Sequence, residues 1–226
     1  MSNPEEPLYE KPENPNASIE KTQTLETAGD NLGNLLEAGI KALKDPDAQA
    51  VYSMMTVFKI ARLNEDSFAA AANTETFFQP LNKTYDEVST ALAKSEDEAN
   101  FVAVSLSTFK TISVLGNISE QNIVGGNRQD CIEQKARLFG RVAKTLSETS
   151  PDGVSMLAFT QGIKNDSLGK ASAVEMFPYM ETDTKNIVAI ATARRKDEKS
   201  IENTAKMLPY LDKDGTDLIQ SLTHEN

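Results

Sequence analysis

The sequence predicts an all-α protein: an irregular multi-helix bundle behind an extended N-terminal arm. Three observations carry this. Apolar residues recur at helical spacing through most of the chain after residue 17. Breaking sequences such as Asp45-Pro46-Asp47 and Ser150-Pro151-Asp152-Gly153 separate the periodic stretches. A length of 226 residues, 39% of them hydrophobic, supplies a substantial core. The expected organisation is an arm over 1–17 and one helical domain over 18–226, with a candidate sub-boundary near 117–127.

Pro4, Pro7, Pro12 and Pro15 among Glu and Asn give residues 1–17 the composition of a disordered arm. Helical periodicity starts near Ser18, is clear from Asn31 to Lys44 and stops at Pro46, which cannot continue the ladder. A second helix is expected from about Asp47 to Leu63, burying Val51, Met54, Met55, Phe58 and Leu63. Asn64-Glu65-Asp66-Ser67 reads as a break and cap. Residues 67–94 read as a helix or a pair broken at Pro80. Ser95 with Glu98 forms a capping box ahead of a strongly apolar helix over 96–116, the expected centre of the core. Its β-branched end leaves a short strand open there.

The best amphipathic stretch runs from Asn127 to Ser150. At 100° per residue Cys131, Ile132, Leu138, Phe139, Val142, Ala143 and Leu146 share one side. Arg137, Arg141 and Lys144 share the other. A short helix over 154–163 follows, then two more over roughly 171–196 and 200–222.

The basic stripe has two readings. It is a solvated face, with Glu133 four residues before Arg137 and Lys144 four before Glu148. Alternatively it is an anion track centred on Arg141, whose planar fork suits phosphate. Arg128 and the cluster Arg194, Arg195 and Lys196 are secondary candidates, although positive charge at a helix end also complements the dipole.

Net charge is −11 and the pI near 4.7, which argues against a generic basic nucleic-acid binder. The charge is uneven. Residues 1–102 carry eight basic against eighteen acidic residues, whereas 103–170 carry eight against six. An acidic half beside a near-neutral middle suits docking between copies or onto a basic partner.

Catalytic equipment is sparse. His224 is the single histidine, and the single cysteine, Cys131, reads as a core residue. Asp212-Lys213-Asp214-Gly215 departs from a calcium loop, because the glycine comes early and Thr223 stands where the closing glutamate belongs. No phosphate-cradling glycine loop is present. The expectation is no enzyme activity, no cofactor and no metal. The polar, acidic first residues and the lack of a long apolar run lead to the expectation of a cytoplasmic protein with no membrane partner.

One internal echo stands out. Met176-Phe177-Pro178-Tyr179-Met180-Glu181-Thr182-Asp183 matches Met207-Leu208-Pro209-Tyr210-Leu211-Asp212-Lys213-Asp214 at an offset of 31 residues. Such units are similar to the hairpins of HEAT-type solenoids, and Leu43-Lys44-Asp45-Pro46-Asp47 is similar to that family's turn. The resemblance covers about a quarter of the chain. It implies a protein-binding adaptor. A bundle with one duplicated hairpin fits the same echo. The string Ala136-Arg137-Leu138-Phe139-Gly140 is similar to one in the coat proteins of flexuous plant virus filaments.

The functional expectation is a non-enzymatic helical structural subunit that forms homo-oligomers. Its basic face would meet single-stranded nucleic acid or the acidic groove of a partner. The alternative is the HEAT-like adaptor or scaffold.

Overall fold

In a computed structural model of the chain the described residues are 15–71 and 128–224, with side chains described over 23–71 and 128–222. Among them every regular element is helical: α1 (Pro15–Ala42), α2 (Pro46–Ala61), α3 (Glu65–Ala70), α4 (Arg128–Ser147), α5 (Pro151–Gly162), α6 (Ser167–Met176), α7 (Thr182–Ala193), α8 (Glu198–Met207) and α9 (Lys213–His224). The all-α reading is therefore correct. The expected helices over 67–94 and 96–116 fall, beyond Ala71, outside the described residues, as do residues 1–14 of the arm. Within the arm, helix begins already at Pro15, because proline is well suited to a first turn.

Short polar side chains start most of these helices. Asp45, Asn64, Ser150, Asp166 and Asp197 each accept a backbone N–H from the first turn of α2, α3, α5, α6 and α8. Asp212 does the same for Gly215 at 2.7 Å, so the would-be calcium loop is a helix cap.

The two long C-terminal helices expected over 171–196 and 200–222 are each broken. Pro178 and Pro209 end α6 and α8 in 3-10 turns, Phe177–Tyr179 and Leu208–Tyr210, and Met180 and Leu211 then take extended backbone. The echo is thus two helical hairpins. Their elements keep the offset of 31: α6 and α8 begin at 167 and 198, α7 and α9 at 182 and 213. It reaches further back than the sequence comparison suggested, since α5 begins at 151. Leu157, Val188 and Ile219, one per unit, are all buried.

The helices stack in two layers. One layer runs α1, α4, α6, α8; the other runs α2, α5, α7, α9; each helix packs on the next in its row. The core lies between and along them. Leu25, Ala28, Leu32, Leu36 and Ile40 form the buried stripe of α1. The apolar side assigned to α4 is buried at every position named, from Cys131 to Leu146. Gly140 lets α4 meet α6 closely: a Cβ there would stand 2.9 Å from the Glu175 backbone oxygen. Gln49 ties the ends together, donating to the Leu43 carbonyl at 2.6 Å and accepting from the Thr149 hydroxyl.

Candidate functional site

The polar side of α4 does not look out into solvent along its length. It lies against α1, and the meeting is a charge match. Glu26, Asp30, Asn34 and Glu37 recur at helical spacing on α1, beside its buried stripe. Arg137 and Arg141 recur the same way on α4. Arg141 Nε donates to Glu37 Oε1 at 2.7 Å, and Nη2 donates to Asn34 Oδ1 at 2.8 Å. Nη1 lies 3.5 Å from Asp30 Oδ1 and 3.4 Å from the Asp30 carbonyl. The side chain retains 31% exposure. Room for it comes from Gly33: a Cβ at that position would fall 2.3 Å from Nη1.

This corrects the expectation of an outward anion track centred on Arg141. The acids it lacks on its own helix come from α1, more than 100 residues away in sequence. Arg137 pairs more loosely, 3.8 Å from Glu26 and more than half exposed. Lys144 and Arg128 are exposed.

The second basic cluster is dispersed by the turn that holds it. Arg194 is exposed, while Arg195 Nη2 donates to the Ile163 carbonyl at 2.7 Å, at the C-terminal cap of α5. The expected dipole role is therefore played toward a neighbouring helix rather than the arginine's own. Burial lowers the Arg195 pKa, countered by Asp197 and Asp166. Lys196 takes φ 58°, a left-handed position that turns the chain toward α8.

Sequence reasoning missed Lys135. Only 2% exposed, it sits on the apolar side of α4 and donates Nζ to the carbonyls of Ala61, at 3.1 Å, and Leu63. The Ala61 carbonyl ends α2 and the Leu63 carbonyl lies in the link to α3, so the ammonium takes up an acceptor that the helix end leaves open and a second just beyond it. Desolvation lowers its pKa, while Cys131 raises it. Burial in turn pushes the Cys131 thiol up, which suits a core residue better than a nucleophile.

A groove of about 210 Å³ opens between α4, α6 and α8. Ala136, Ala171 and Val174 line it together with Arg137, Glu175 and Lys206. Both charge signs are present in its lining. Among the described residues no group of three or more His, Cys, Asp or Glu could hold a metal ion, and no helix is long and apolar enough to cross a membrane.

Among the described residues the architecture is an all-α multi-helix fold in which the polar side of α4 is charge-matched to α1. No protein-family model matches the chain, and neither a curated protein nor a solved structure does so.

Proposed function

We propose that the protein is a non-catalytic helical structural subunit that works through surface contacts, foremost with copies of itself. One observation carries this. Among the described residues Ile201 on α8 is 61% exposed and Tyr210 beyond it is 48% exposed, apolar surface of the kind that marks contact sites. Thirty-one residues earlier Lys170 holds the position equivalent to Ile201, and it reaches the next hairpin through Asp197, at 3.0 Å. The hairpin of α8 and α9 therefore presents apolar surface where the equivalent position of the hairpin before it meets a neighbour.

Sedimentation velocity over a wide concentration range tests the reading. Mass that rises with concentration supports it; a protein monomeric throughout overturns it. Self-association is assigned in part to the N-terminal arm, and deleting residues 1–17 tests that part.

The adaptor reading is the second, and the groove between α4, α6 and α8 favours it as a place for a partner peptide. It predicts a stable monomer that takes up a peptide, with loss of uptake in Lys206→Glu.

Contact with single-stranded nucleic acid falls, on this geometry, to Arg128, Lys144 and Arg194, because Arg137 and Arg141 are paired within the chain. Three phosphate contacts correspond to a log–log salt slope of roughly −2 for a single strand. An absence of binding near physiological salt removes this part of the proposal.

A further inference from the structure

The 31-residue register places one feature that no single helix shows. In α5, α7 and α9 the residue just before the buried Leu157, Val188 and Ile219 is again large and apolar. These residues are Met156, Ile187 and Leu218, and they are 37%, 48% and 44% exposed. Neighbouring packed helices stand about 8–10 Å apart, so the three side chains form a row roughly 20 Å long across the layer. Phe159, 46% exposed, broadens it on α5.

The row is flanked by charge of opposite sign. Asp152, Asp183 and Asp214 occupy the same register in the first turns of the three helices, and all are exposed. The opposite edge carries Arg194 and Lys196, both exposed at the end of α7. Helices of 12 residues are about 18 Å long. With surface relief, three of them present an area of the order of the ~800 Å² per partner found in specific interfaces.

We propose that this face binds the same face of a second copy of the chain, with the two-fold axis running along the apolar row. This rests on the self-association reading and assigns it a surface separate from Ile201 and Tyr210. The axis sets Ile187 against its own equivalent and makes the facing helices antiparallel. Each aspartate edge then meets the basic edge of the other copy, Asp183 opposite the partner's Arg194. An axis parallel to the helices would instead lay the aspartate edges on each other, which like charge opposes.

Substituting Ile187→Glu tests the surface, with sedimentation equilibrium as the readout and the melting temperature as a check on folding. The expected result is a dimer dissociation constant raised at least roughly tenfold, as for a central interface side chain, with an unchanged melt. Asp183→Arg and Arg194→Asp each weaken the dimer, and combining them restores it. If Ile187→Glu associates as wild type does, or the charge exchange shows no rescue, the proposed face is wrong. Should association persist there and vanish on deletion of residues 1–17, self-association stands and this surface does not. A wild-type chain that is monomeric throughout removes both.

Discussion

At the scale of single residues, the fold rests on charges that find their partners across long stretches of sequence. Lys135 is the clearest case, because a buried ammonium is tolerated only with acceptors around it. Lys135→Ala leaves the Ala61 and Leu63 carbonyls without their donor and is expected to cost roughly 2–3 kcal/mol. Urea denaturation checks this, and Lys135→Met, which keeps the packing volume, should cost less. A second prediction concerns acid. The Ser200 hydroxyl and then the Lys170 ammonium hold the Asp197 carboxyl at about 2, below its ordinary 3.8. A depressed carboxylate pKa contributes stability that is present above the unfolded value and lost as pH falls through the folded one. The start of α8 should therefore loosen between pH 3.8 and about 2. Amide exchange at Ser200 in that window, together with a carboxyl titration of Asp197, gives the check; a midpoint near 3.8 would sink the idea.

Between elements, the closest approaches pass through glycines, and the kind of obstacle decides the outcome. Gly140→Ala meets the Glu175 backbone, which cannot swing away. It should destabilise by about 1–3 kcal/mol, as over-packing does. Gly33→Ala meets only the tip of Arg141, so alanine's better helix propensity, worth up to ~1 kcal/mol, competes with loss of the clasp. The expected signature is non-additive: Gly33→Ala harms the wild type but stabilises an Arg141→Ala background, measured as a double-mutant cycle. This junction also shows how far the sequence could be read. Which side of α4 is apolar follows from its own periodicity, and every residue assigned there is buried. What covers the polar side does not, because Arg141 is matched by Glu37 on another helix and no local spacing links the two. Lys135 escaped for a related reason. Its aliphatic stem lets it lie on the apolar side, and its acceptors are carbonyls, which leave no mark in composition.

For the whole molecule, the repeat was half visible. Pro-Tyr turns betrayed the two C-terminal hairpins, since proline and aromatic residues are distinctive. The third member of the row, α5, shares its register with α7 and α9 through Leu157, Val188 and Ile219, whose differing aliphatic side chains conceal the match. The breaks after Met176 and Met207 fall within the helices expected over 171–196 and 200–222, because the 3-10 segments keep helical spacing almost to their ends. A stack in which each helix leans on the next should show graded stability. Hydrogen exchange is expected to be slowest in α4 and α6 and faster in α8 and α9, which have neighbours on fewer sides. Uniform protection across the rows would contradict a layered arrangement.

The clasp between α1 and α4 also sets a schedule. Arg141 follows Glu37 by 104 positions, and at ~5–20 residues per second a ribosome needs roughly 5–20 s to deliver that many residues. Throughout that interval Leu25, Leu32 and Leu36 lack the cover of α4, an opening in which a chaperone or a neighbouring nascent chain can reach α1 before α4 does.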